Sequence, residues 1–293
     1  VIDTRRLRTL RAVADHGTVT AAAAALHLTP SAVSQQLGAL EHEVGHRLFA
    51  RDGRGIRLTA VGRIMLGHAD EVLAQLERAE AEVAAYTTGS AGEVSVASFA
   101  TAISAVLAPA VRALRLSAPA LKIRVLDAEG DRGLTMLLDD QADLAIAVEY
   151  RGAPDDQRLT RIPLYAEPFD LLLPHEHAPA STLAELAGDD WIGPYPGNPV
   201  HDVITFACER EGFTPGFAHS SDDFRAVVAL VGAGAGVALV PRLALRDLDL
   251  SGVIVQRIPG PERRVFAAVR KGADLHPLLR PLLTTLTASH PLD

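Results

Sequence analysis

Along "TPSAVSQQLGALEHEV", residues 29–44, the side chains able to do chemistry are Ser31, Ser34, Gln35 and His42, with Gly38 among them. At 3.6 residues per turn they share one side of a helix, while Val33, Leu37, Leu40 and Val44 share the other. An ordinary solvated face carries Glu, Lys and Arg. This one carries short, uncharged groups that donate and accept at once. Gln can pair with adenine through both side-chain atoms, so the pattern suits base edges in a major groove. Glycine on that face lets the backbone approach closely. Nearby arginines suit phosphates, which position a protein without reading sequence. Arg54, between Gly53 and Gly55, suits the negative potential of a minor groove. The plainer alternative is a small polar surface with no partner.

Three short helices must position that face. "RRLRTLRAVADHG" places Leu7, Leu10 and Ala14 on one side and stops at Gly17. "TVTAAAAALHL" reads as a second helix capped by Thr18 or Thr20. Thr29 then Pro30 is a start signal for the third, and the short connection around His27 makes a helix-turn-helix. "RDGRGIRLT" reads as a small hairpin wing. From Leu58 to about Tyr86 a proline-free helix follows, with Leu58, Gly62, Met65, Ala69, Val72, Leu76, Ala79, Val83 and Tyr86 spaced by fours and threes. That seam predicts a dimerising spacer; packing on its own domain is the alternative. After "TTGSAGE", strand and helix signals alternate to the end, which predicts α/β layers with mostly parallel pairing in two small lobes.

Composition bounds the rest. The 293 residues, 48% of them hydrophobic, suit two domains or slightly more. The longest apolar runs are interrupted by charges short of membrane-spanning length, and no leader pattern opens the chain; the expectation is a cytosolic protein. The net charge is −8, yet nine arginines against five acids give residues 1–66 a charge of +4 and leave −12 on the remainder. Such asymmetry points one end at a polyanion. Cys208 is the only cysteine, which excludes an internal disulfide and reads as a core residue. His175 and His177 are metal-ligand types, but they flank a turn. "GAGAG" at 232–236 follows a helix rather than opening one, so it reads as a helix end. No nucleophile has a strand-turn-helix setting, and neither cofactor nor metal is expected.

The stretch "AAAALHLTPSAVSQQLGALEHEVGHRLFARDGRGIRLTAVGRIML" resembles the winged helix-turn-helix of LysR-type transcriptional regulators. "SDDFRAVVALVGAGAGVALVP" is similar to a segment of that family's C-terminal domain, and the likeness spans essentially the whole chain. It implies an α+β multidomain fold. A winged helix-turn-helix would occupy 3–60 and a linker helix 61–88. A two-lobed α/β effector domain like periplasmic solute-binding proteins would occupy 93–293, with lobe 1 at about 93–163 and 267–293 and lobe 2 at about 164–266. It implies DNA contacts from Thr29, Ser31, Ser34 and Gln35, a phosphate clamp at Arg51, and Arg54 on the wing. Ser98 and Thr101 would lie at a helix N-terminus suited to an anion, with Asn198, Ser220 and Ser221 in loops facing the same cleft. Helix capping is the alternative for these hydroxyls.

The implied partners are operator DNA, a small polar or anionic metabolite, further copies of the chain as a dimer or dimer of dimers, and the transcription machinery; no membrane is implied. Two positions depart from the pattern: "TAAAAAL" lacks the usual charges, and Asp140 stands where glycine is usual. A solute-binding module whose N-terminal region only mediates assembly, and an enzyme working in the cleft, are the rival classes.

Overall fold

The computed structural model describes residues 2–52, 55–88, 92–150, 156–289 and 291–292. Helix α1 (Thr4–His16) starts on Asp3, whose side chain accepts the Arg5 amide, and stops at Gly17 in the left-handed region (φ +68°). Thr18 caps α2 (Val19–Ala25) by accepting the Ala21 amide. Thr29 caps α3 (Pro30–Val44) through the Ala32 amide, with Pro30 in the first turn. Strands β1 (Phe49–Asp52) and β2 (Gly55–Leu58) form the antiparallel wing, Phe49 opposite Leu58. Leu7, Leu10 and Val13 of α1 meet Val33, Leu37 and Leu40 of α3 in one core. Ala22 and Ala23 are buried there too, so these two of the run's five alanines make the close-packing face of α2, and Ala21, Ala24 and Ala25 are exposed.

Helix α4 (Ala60–Thr88) has 29 residues and reaches about 43 Å. Leu66, Ala69 and Leu73 enter the head core, whereas Val72, Leu76 and Val83 stay exposed. The predicted seam is therefore divided: Ala69 faces the chain's own head, and Val72 and Leu76 are exposed. The side chain of Tyr86 lies outside the described residues.

The C-terminal domain begins with β3 (Glu93–Ser98), a helical turn α5 (Ala100–Ala102), a π turn (Ile103–Leu107) and α6 (Ala108–Ser117). Then come β4 (Lys122–Asp127), α7 (Arg132–Leu138), β5 (Leu144–Val148), β6 (Leu159–Pro174), β7 (Asp190–Gly193), α8 (Pro199–Arg210), β8 (Gly216–Ser220) and α9 (Phe224–Gly232). Strands β9 (Ala238–Pro241), β10 (Val253–Gln256) and β11 (Glu262–Arg270) and helix α10 (Leu279–Thr287) complete it. One sheet runs β10-β6-β11-β5-β3-β4, with β9 also on β6; β7 and β8 pair separately.

Here the expectation of mostly parallel pairing fails. Among the described residues, only β3 with β4, β3 with β5, and β7 with β8 are parallel ladders. The reason is that β6 runs through both lobes antiparallel to each strand it pairs with, β11 in lobe 1 and β9 and β10 in lobe 2. The first part of β6 pairs with β11, and the remainder pairs with β9 and β10. The boundaries expected near 163 and 266 thus fall inside continuous strands. Lobe 1 packs α6 and α10 on one face of its sheet and α7 on the other. Lobe 2 places α8 and α9 in two separate cores around Trp191 and Ile192. Ala100–Ser117 is long and apolar enough to cross a membrane by composition alone, yet its Ala102, Val106, Leu107, Ala110 and Leu114 are buried in the lobe 1 core.

At Gly62, in the first turn of α4, a Cβ would stand 2.1 Å from the Leu48 carbonyl oxygen. Backbone cannot yield as a side chain does, so Gly62→Ala should cost the head about 1–3 kcal/mol. Urea unfolding followed by circular dichroism measures this; an unshifted midpoint would show that the helix meets the wing with room to spare.

Candidate nucleic-acid interface and interlobe cleft

Ser31, Ser34, Gln35, Gly38 and His42 are all exposed along α3, and Val33, Leu37 and Leu40 are buried behind them. Thr29 is exposed at the start of the helix, its hydroxyl 3.0 Å from that of Ser31. Arg51 is exposed on β1. These five candidates lie in one compact head; Arg54 lies outside the described residues.

Buried polar bonds set the attitude of this face. Thr9 of α1 donates to Gln36 of α3, so the glutamine beside Gln35 is used internally. Glu41 accepts the Leu48 amide at 2.8 Å and the Phe49 amide at 3.4 Å while its other oxygen takes Arg47 at 2.9 Å. One carboxylate therefore ties α3 to the wing. Arg6 pairs with Glu43, so two of the head's nine arginines are already neutralised beside the helix.

Between the lobes lies a cavity of about 700 Å³. Thr101 and Asn198 line it, as expected. Ser98, Ser220 and Ser221 do not. Ser98 ends β3 fully buried, donating to the Phe99 carbonyl. Ser220 ends β8, and the Ser221 hydroxyl accepts the Asp223 amide as a local cap. Asn198 caps α8 through the Val200 amide and donates to Asp222 Oδ1 at 3.0 Å.

The expected anion seat is also taken: the Ala100 amide donates to Glu129 Oε1 at 3.2 Å, a carboxylate of the same chain. Loss of water around the Glu129 carboxyl holds its pKa above the ordinary range; the Ala100 bond opposes this, and Asp127 and Asp222 add to it. Asp127, Glu129, Asp222, Asp223 and Asp247 line the cavity against Arg225, Arg246 and Arg263. Sequence reading missed these charges, because a carboxylate in a loop carries no periodic signal. At the rim, Gly130 (φ +59°) comes close to lobe 2: a Cβ there would stand 3.6 Å from the Gly197 carbonyl oxygen.

Arg263 is the cavity's buried cation. It is 1% exposed, pairs through Nε with the fully buried Glu167, and donates through Nη2 to the Thr101 hydroxyl at 2.7 Å. Its guanidinium stands 5.0 Å from the centre of the Phe99 ring. Glu167 also accepts the Leu243 amide at 2.9 Å.

Other candidates resolve structurally. Cys208 is buried in a lobe 2 core, and burial pushes its thiol up to about 12, away from reactivity. His175 lies 2.8 Å from the Ser251 carbonyl oxygen and His177 lies 3.2 Å from Asp189, and no cluster of three metal-ligating residues occurs among the described residues. "GAGAG" closes α9, with Gly234 at φ +78° and Gly236 at φ +150°, its Cβ position 2.3 Å from the Asp190 carbonyl.

Comparison with known proteins agrees with this geometry. Residues 4–63 match the profile described as bacterial regulatory helix-turn-helix protein, lysR family, and residues 87–290 match the LysR substrate binding domain. The small neutral protease regulatory protein of Streptomyces coelicolor is 31% identical, over 80% of this chain and 71% of that protein. An uncharacterized HTH-type transcriptional regulator, YnfL, of Escherichia coli is 29% identical over 82% of each. Full-length CbnR complexed with its target DNA superposes with a TM-score of 0.57 at 26% identity, covering 98% of this chain and 100% of that one.

The cavity floor yields a direct test. Arg263→Met strands the Glu167 carboxylate without its partner and should cost about 3–5 kcal/mol in urea unfolding. Adding Glu167→Gln, which still accepts the Leu243 amide, should recover most of that loss. A double variant no more stable than the single one would mean the pair is not what Glu167 needs.

Proposed function

The chain belongs to the LysR family of transcriptional regulators, and from that membership we propose how its own residues do the work. It is a DNA-binding regulator whose action on DNA is modulated by a small effector in the two-lobed domain; the family is not one of enzymes, which closes the enzyme alternative. The matched helix-turn-helix also closes the alternative of a solute-binding module with a passive N-terminus.

We infer that α3 lies in a major groove, with Ser31, Ser34 and Gln35 toward base edges and Thr29 toward a phosphate. Arg51 clamps the backbone beside the wing, where Arg54 is the minor-groove candidate. The observation that carries this reading is the bare polar side of α3 opposite its buried Val33, Leu37 and Leu40. Two heads pair through α4, with the exposed Val72 and Leu76 on the pairing side, and the dimer or dimer of dimers reads half-sites spaced by helical turns in the cytoplasm. The head, linker and effector units at about 3–60, 61–88 and 93–293 remain our division of labour.

The effector fills the interlobe cavity against Thr101 and Asn198. Because Glu129 already occupies the Ala100 amide, the cavity favours an effector bearing hydrogen-bond donors or positive charge over a simple anion. This narrows the polar-or-anionic expectation toward polar, amine-bearing compounds.

Binding to an operator selected from random duplexes tests the head. Gln35→Ala should cost about 1–3 kcal/mol and relax preference at one base pair, whereas Arg51→Ala should weaken all sequences alike and lower the salt slope by about one. Equal loss on every sequence from Gln35→Ala would remove it from base reading. For the cleft, thermal shift across a metabolite panel should rank amines and amino acids above dicarboxylates, with Glu129→Gln erasing the amine shift; the reverse ranking would restore the anion reading.

A further inference from the structure

Head and C-terminal domain meet along a line of charge that neither base reading nor effector binding uses. Asp15, in the last turn of α1, has a side chain only 4% exposed. Arg158 Nη1 stands 2.6 Å from its Oδ1 and Arg270 Nη2 stands 3.3 Å from its Oδ2. Both arginines come from the other domain, and their positions are telling. Arg158 immediately precedes β6, and Arg270 is the last residue of β11. The Lys271 amide donates to the Arg158 carbonyl at 2.8 Å, tying those strand ends together.

Asp140 makes the second grip. Its carboxylate takes Arg270 Nε at 2.9 Å and Arg11 Nη2 of the head at 3.4 Å. It holds φ at +55°, a region that strains most L side chains, at the very position where glycine is usual. Here the side chain is what the strained position provides: a carboxylate between one arginine of each domain. Arg78 of α4 adds a bond from Nη1 to the Gly272 carbonyl at 3.2 Å. Asp70 of α4 is 6% exposed beside Arg11 and Asp15 of α1 and Arg270 and Lys271 of the C-terminal domain. Burial lifts its carboxyl to about 6, with the push of Asp15 and against the pull of Arg11, Arg270 and Lys271.

We propose that this line is a latch: Asp15, gripped at the ends of β6, the strand that runs through both lobes, and of its partner β11, is where the arrangement of the lobes is conveyed to the head. That the lobe arrangement reports an effector rests on the regulator reading; the latch itself does not. The physical path is contiguous. Thr101 on the cavity wall holds Arg263, Arg263 holds Glu167 across the β11–β6 ladder, and the same ladder ends with Arg270 opposite Leu159, next to Arg158. A strand pair that bends or shears when the lobes move displaces its far ends, and two guanidiniums fixed on one buried carboxylate transmit that displacement. The Asp140 pairs are open to solvent and screened by salt; the Asp15 carboxylate, enclosed, is not rehydrated while the domains stay docked.

Hydrogen exchange on the full chain tests the latch without DNA or effector. Asp15→Asn, a change in the head, should raise exchange severalfold in the C-terminal segments around 138–142 and 156–160. Arg158→Gln, a change in the C-terminal domain, should do the reciprocal in the last turn of α1. Asp140→Gly relieves its own backbone strain and should still loosen α1 near Arg11. If each substitution altered exchange only within its own domain, the latch would be overturned whether or not the chain binds DNA.

Discussion

Arg263 and Glu167 cannot separate. Both are out of water, they face each other in the β11–β6 ladder, and parting them would strand a charge in a medium that cannot solvate it. That requirement fixes the register of the two strands that every other part of the C-terminal domain hangs from. Lobe 1 builds outward from β11 through β5 and β3 to β4, and lobe 2 builds from the far end of β6 through β9 and β10. The cleft is the space left where the two builds diverge, and the pair sits at its floor. A ligand entering it meets Thr101 already holding Arg263, and Asn198 already holding the Val200 amide and Asp222, so recognition falls to the cavity's carboxylates, Glu129 and Asp222 among them.

How much was legible in the sequence depended on whether one residue's role is decided by its near neighbours. The three head helices were, because caps, a first-turn proline and 3.6-residue spacing are local: Thr18, Thr29, Pro30 and Gly17 all sit where those rules put them. Strand β6 was not. Pro163 and Pro168 lie inside its 16 residues and read as strand breakers, but Pro163 faces Phe266 beside a bulge, where the ladder tolerates a missing amide. Strand β8 was hidden because "GFAHS" is mostly half-exposed and shows no alternation. The hydroxyls misled for a related reason. Ser98 and Ser221 find backbone partners within two residues, and short polar side chains often satisfy themselves this way before any ligand arrives.

Net charge was informative only after subdivision, and even the divided sum overstates the head. Arg6 and Arg47 are paired with acids of α3, and Arg11 turns toward Glu77 and Asp140. Arg5, Arg8 and Arg51 stay exposed. The +4 of residues 1–66 is thus partly internal wiring, and under the proposed reading only part of it is left for phosphate. This division suits recognition, since phosphate contacts at the edge leave the centre of the face to discriminate bases.

The linker helix shows how one apolar stripe can serve two partners without ambiguity. At about 100° per residue, Ala69, Leu73 and Leu66 occupy one half of a stripe, and Leu76, Val83 and Val72 occupy the adjoining half. The head core fills the first half and thereby fixes the rotation of α4 about its axis. Once that rotation is fixed, the second half has one direction in which to face, so the heads of a dimer are oriented by packing inside each chain before the chains meet. The orientation of one reading helix relative to its mate is then set by Leu66, Ala69 and Leu73 as firmly as by the residues that touch the partner.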